Sequence, residues 1–186
     1  MDRFEETKQL FRELNSVSSA GGAVFLSTGR LAELPITELA NDYLIDIPVY
    51  NRSLPHLKID DAMNLLEECV FALQPRKVCI ALGEEDLRSE DFQMETFMEK
   101  YAWLLYTLHN RIHGRLYVIS LPGKDAITLQ VNQRLAQLAA DTGCQFLDVS
   151  SVFSSEHPAL RLFGMLSSVI REHAPTFCEA MRIPVR

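Results

Sequence analysis

Five short apolar runs, each followed by a stretch with helical spacing, constrain this chain more than any other feature. The runs are Ala23–Ser27, Ile45–Tyr50, Lys77–Leu82, Arg115–Leu121 and Gln145–Val149. Most are apolar at successive positions rather than alternate ones, the pattern of parallel strands buried on both faces. Between them apolar residues recur at three- and four-residue intervals. Ala62, Leu65, Leu66, Cys69 and Leu73 form one stripe. Met94, Phe97, Met98, Tyr101, Leu105, Leu108 and Ile112 form the longest. Ile127, Val131, Leu135 and Leu138 form a third, and Leu162, Met165, Leu166, Val169 and His173 a fourth. Strand and helix alternating at this spacing predict an α/β fold. The expected form is a three-layer α/β/α sandwich with about five parallel strands, flavodoxin-like in order and right-handed in its crossovers.

Ahead of the first strand, Asp2–Asn15 reads as a helix with Phe4, Phe11 and Leu14 on one face, and Ser16–Gly22 as a small-residue linker. No internal repeat is present, and 186 residues suffice for one substantial core. One domain over 1–186 is expected, with 1–22 as its N-terminal helix and linker. Residues 175–186, with Pro175 and Pro184, are expected as an extended surface tail.

The 25 acidic and 18 basic residues leave a net charge of -7, and the basic ones form no run. Phosphate binding needs a concentrated positive field, so no nucleic-acid partner is expected. The opening Met1-Asp2-Arg3-Phe4-Glu5-Glu6 is too acidic and polar for a secretory signal. No apolar run approaches the ~20 residues of a membrane-spanning helix, so no membrane insertion is expected. Cys69, Cys79, Cys144 and Cys178 sit among apolar residues without paired metal or redox spacing. These features predict a cytoplasmic protein with reduced, buried cysteines and no cofactor.

In a sheet of this kind ligands gather beyond the carboxyl ends of the strands, near the point where strand order reverses. The turns there are Ser27–Leu31, Asn51–His56, Gly83–Leu87, Pro122–Lys124 and the segment after Val149. Four blocks stand out in order. They are Val24-Phe25-Leu26-Ser27-Thr28-Gly29-Arg30-Leu31 and Val49-Tyr50-Asn51-Arg52-Ser53-Leu54-Pro55-His56, then the long run from Pro75 to Leu87 that ends Leu82-Gly83-Glu84-Glu85-Asp86-Leu87, then Ser154-Ser155-Glu156-His157-Pro158. This ordered set resembles the SGNH, or GDSL-type, hydrolases, in the style of the platelet-activating-factor acetylhydrolase-like branch. The resemblance runs from about Ala23 to about Arg171.

That resemblance implies acyl transfer. A serine after the first strand attacks an ester carbonyl. Its own amide, a glycine amide after the second strand and an asparagine side chain after the third hold the oxyanion. A histidine near the C-terminus is the base, and an aspartate three residues before it orients the ring. Carried over by position, the nucleophile falls on Gly29, the oxyanion glycine on His56, the asparagine on Glu85 and the aspartate on Ser154. Only His157 keeps the family's residue. An ionised carboxylate at Glu85 accepts hydrogen bonds and cannot hold an oxyanion. Framework positions Asn51, Arg52, Gly83, Asp86 and Leu87 match while the chemical positions do not.

The expectation is therefore a non-enzyme: a catalytically degenerate SGNH-like protein that binds a small ligand or a protein partner in the ancestral cleft. Ser27, Thr28, Arg30, Asn51 and Glu84 would line that cleft. The alternative is a divergent esterase or acylhydrolase that uses His157 with water, or Ser27. A chance match on an unrelated flavodoxin-like binding module is the third reading. Ser27 and Thr28 are read as partners for turn backbone. His56, Glu84, Glu85, Asp86 and His157 have metal-compatible chemistry if they converge. The plainer reading is a solvated loop in which Asp86 caps the following turn, so no metal is expected. His109 and His113, four apart, read as surface residues near a helix end. Gly21-Gly22 precedes its strand and is not a phosphate loop.

Overall fold

The computed structural model describes residues 3–154 and 156–171. The expected tail, His173 and Cys178 lie outside the described residues. Five parallel strands form one sheet in the order β2-β1-β3-β4-β5. They are β1 (Ala23–Ser27), β2 (Val49–Asn51), β3 (Lys77–Ala81), β4 (Arg115–Ile119) and β5 (Gln145–Leu147). Eight α-helices accompany them among the described residues: α1 (Arg3–Ser16), α2 (Gly29–Ala32), α3 (Ile36–Asp42), α4 (Ile59–Cys69), α5 (Glu84–Leu87), α6 (Met94–Arg111), α7 (Ala126–Asp141) and α8 (Pro158–Ile170).

Alternation along the strands divides the core into two halves. Val24, Leu26, Val78, Ile80, Leu116 and Val118 pack on one face with Phe11 of α1 and the stripes of α4, α6 and α7. Ala23, Phe25, Cys79, Ala81, Tyr117 and Ile119 pack on the other with α2, α3 and α8. The result is the expected three-layer sandwich. β1 and β3 are buried at every position, as central parallel strands are. Among the described residues no helix is long and apolar enough to cross a membrane.

Several boundaries move for local reasons. β2 starts at Val49 rather than Ile45, because Pro48 has no N–H to give the ladder. The Pro48 carbonyl still accepts from Ala23 (2.8 Å). β5 ends at Leu147 rather than Val149, where the Ser120 hydroxyl replaces a strand partner and accepts the Val149 N–H (2.8 Å). Ile127 and Met165, expected in the core, are 44% and 43% exposed. Polar residues hold the inward positions instead. Asn132 pairs its side-chain amide with both backbone groups of Leu121 (2.7 and 2.9 Å), and Ser167 donates to the Gly164 carbonyl (2.8 Å). α6 ends at Arg111, so His113 lies beyond the helix that carries His109.

Candidate functional site

The sheet order reverses between β1 and β3, and three turns meet there. Ser27 pairs with Ala81, so the chain leaves both strands side by side. The Thr28 N–H donates to Ala81 (3.1 Å), Gly29 to Pro55 (2.9 Å) and Leu54 to Ser27 (3.1 Å). Gly29 opens α2 with φ +57°, a left-handed backbone that side chains disfavour. It is also closely covered. A Cβ at residue 29 would lie 2.9 Å from Glu84 Oε1 and closer still to Cδ and Oε2.

Gly83 puts Glu84 in that position. Its φ is +127°, and a Cβ there would meet Phe97 at 2.7 Å and Leu121 at 3.0 Å. The turn after β3 therefore needs glycine, and it delivers the Glu84 side chain over Gly29. Glu84 is 9% exposed. Its Oε2 accepts the Arg30 N–H (3.2 Å), and its Oε1 pairs with Arg88 Nη2 (2.6 Å). A braced carboxylate thus fills the space that a side chain on residue 29 would take. Arg88 was absent from the residues singled out in the sequence. Its i, i+4 spacing from Glu84 was the available signal.

His56 and Glu85 meet beside this niche, with Nδ1 to Oε2 at 2.9 Å. The hydrogen bond from His56 holds the Glu85 carboxyl below its ordinary pKa, and Arg88 at 3.4 Å adds to this against a desolvation penalty. Asp86 does not cap the turn that follows it. Its carboxylate accepts the Ile59 N–H at 3.3 Å to both oxygens and so caps α4. Burial pushes its pKa up.

The remaining turn residues are committed to the frame. The Ser27 hydroxyl donates to Ser53 Oγ (2.7 Å), and the Thr28 hydroxyl to the Pro55 carbonyl (3.0 Å). Both residues are buried. Asn51 Oδ1 accepts the Ser53 N–H (3.1 Å). Arg52 donates to Asn15 Oδ1 (2.9 Å) and lies 5.1 Å from the Phe11 ring centroid and 5.5 Å from that of Tyr50. Arg30 is exposed. His157 is exposed and precedes α8, where its carbonyl accepts from Arg161 (3.1 Å). No hydrogen bond or ion pair among the described residues joins it to Gly29, His56 or Glu85. Ser154 closes a single 3-10 turn, Val152–Ser154. Among the described residues no group of three His, Cys, Asp or Glu side chains is placed to hold a metal ion.

No protein-family model and no curated protein sequence matches the chain. Solved structures do. A Streptococcus pneumoniae protein assigned as a platelet activating factor is 12% identical, with 89% of this chain and 92% of that one covered at a TM-score of 0.76. A GDSL-like lipase from Bacteroides thetaiotaomicron is 12% identical, with 88% and 96% covered at 0.72. An acetyl-xylooligosaccharide esterase from Geobacillus is 13% identical, with 85% and 98% covered at 0.67. At these identities the likeness is one of fold. The order of the strands, their parallel register and this match over most of the chain agree: the protein has the SGNH/GDSL hydrolase fold.

Proposed function

We propose that this protein keeps the hydrolase scaffold without its acyl-transfer chemistry and acts by binding a small ligand or a protein partner at the carboxyl end of the sheet. The Glu84 carboxylate packed over Gly29 carries the reading. An attacking hydroxyl needs free space and a base; residue 29 has neither a side chain nor room for one. A fixed negative charge in the same place opposes the oxyanion that acyl transfer develops. Ser27 and Thr28 do not substitute, since both hydroxyls are buried and donating to neighbours. The exposed His56 and Arg88 beside the niche are the groups a ligand meets first. Cys69, Cys79 and Cys144 are unpaired and buried, which suits a reducing cytoplasm. Incubation with a fluorophosphonate probe, read by intact mass, tests the proposal: an unchanged mass is expected, and stoichiometric labelling overturns it.

One observation favours a second reading, a divergent esterase. His56 Nδ1 sits against a carboxylate, the arrangement that leaves an imidazole's other nitrogen as a base for water. That reading predicts ester turnover lost in His56→Ala and retained in His157→Ala.

A further inference from the structure

On the face of the sheet that carries α4 and α6, the turn after β3 also bounds a cavity. Gly83 has no Cβ, and one built there would meet the Phe97 ring of α6 at 2.7 Å. Beyond it the Asp86 carbonyl accepts from the Ser89 N–H (3.0 Å), and the Ser89 carbonyl accepts from the Phe92 N–H (3.1 Å). These two turns carry the chain from α5 to α6. Between them and the starts of α4 and α6 lies a cavity of about 330 Å³, whose walls include Lys58, Asp86, Asp91, Phe92, Phe97 and Lys100. That volume suits one small ligand. Gly29, His56, Glu84 and Glu85 are not among its described walls.

The walls carry both signs of charge, and each sign keeps bonding capacity. Lys58 Nζ donates to Ser89 Oγ (2.6 Å), and Lys100 Nζ pairs with Asp60 Oδ2 (2.6 Å). An ammonium has three N–H groups, so each lysine has donors left for another acceptor. The Asp86 carboxylate accepts the Ile59 N–H at 3.3 Å to both oxygens, long contacts that leave lone pairs open. Burial pushes its pKa up, so a cation brought beside it is favoured. The Asp91 side chain makes no hydrogen bond or ion pair among the described residues. Two rings complete the walls. Phe92 and Phe97 lie 5.6 Å apart, and Phe97 meets the buried Tyr101 edge-on at 5.7 Å.

We propose that this cavity binds a free α-amino acid with a large apolar side chain. A ligand of one charge would leave the walls of the same sign unmatched, whereas a zwitterion meets both. Its ammonium goes to Asp86 and Asp91, and its carboxylate to Lys58 and Lys100, through charge-assisted hydrogen bonds. Its side chain packs on Phe92 and Phe97. The site shares none of its groups with the Gly29 niche and does not depend on how that niche is read.

L-phenylalanine titrated into the full chain by calorimetry tests this, with its amide, its N-acetyl derivative and glycine as partial probes. Saturable binding of L-phenylalanine is expected, about tenfold tighter than the amide, which lacks the carboxylate, or the N-acetyl form, which lacks the ammonium. Glycine, without a side chain for the rings, should also bind about tenfold more weakly. Asp91→Asn and Lys100→Gln should each weaken L-phenylalanine about tenfold, whereas Arg111→Gln at the far end of α6 should leave it unchanged. Amide chemical shifts in the unmodified protein locate the site without any variant. Movement at Ser89, Gln93 and Thr96 supports the proposal. Movement confined to Gly29 and Glu84, affinity unchanged in both Asp91→Asn and Lys100→Gln, equal affinity for L-phenylalanine and both capped forms, or no saturable binding overturns it.

Discussion

Gly29 and Glu84 form one constraint, because the glycine leaves the space that the carboxylate fills. Gly29→Ser places a side chain on a left-handed backbone and against Glu84, and should destabilise the fold by about 2 kcal/mol. Glu84→Ala removes the obstruction but strands the Arg30 N–H, for about 1 kcal/mol. The double variant should be more stable than the sum of the two predicts, by about 1 kcal/mol, in urea unfolding. Strict additivity would show that the two residues do not share a space. The acidic pair beside them titrates in opposite senses. Glu85 is depressed, so its contribution to stability is present above its ordinary pKa and lost as pH falls through the folded value. Asp86 is raised, so its contribution is present below its ordinary pKa and lost as pH rises through the folded value. His56→Ala should move the Glu85 midpoint upward and leave Asp86 in place, measured by carboxyl carbon NMR. An unmoved Glu85 would contradict the hydrogen bond as its main cause.

Among the elements, α7 shows where a polar face outranks an apolar stripe. Asp125 caps it, accepting the Thr128 N–H (2.9 Å) and hydroxyl (2.7 Å). Asp125→Ala should cost about 1 kcal/mol in thermal or urea unfolding, and no loss would rule out the cap as a contributor. That cap turns Thr128 and Asn132 inward and Ile127 outward. Hydrophobic periodicity counts apolar residues only, so it read Ile127 as core. The same limit explains Met165 beside the inward Ser167. The central strands were legible because burial on both faces leaves a continuous apolar run. The edge strands were less so: β2 is shortened by Pro48 and β5 by the Ser120 hydroxyl. The four-residue helices α2 and α5 carry too few residues for any periodicity to register.

For the whole molecule, alternation of strand and helix was enough to fix the layers and the end of the sheet where three turns meet. The contacts at that end were not legible in the same way. His56 reaches Glu85 across 29 residues and Glu84 reaches the Arg30 amide across 54, and both depend on a φ at Gly83 that no sequence pattern states. A residue can be read as lining a cleft without disclosing which space its side chain fills, as Glu84 over Gly29 demonstrates. The central claim is that this fold carries no acyl-transfer chemistry here, and steady-state hydrolysis of p-nitrophenyl acetate tests it most directly. The account predicts a rate equal to the buffer blank for the unmodified protein, His56→Ala and His157→Ala alike. Saturable turnover by the unmodified protein that disappears in either histidine variant would contradict it.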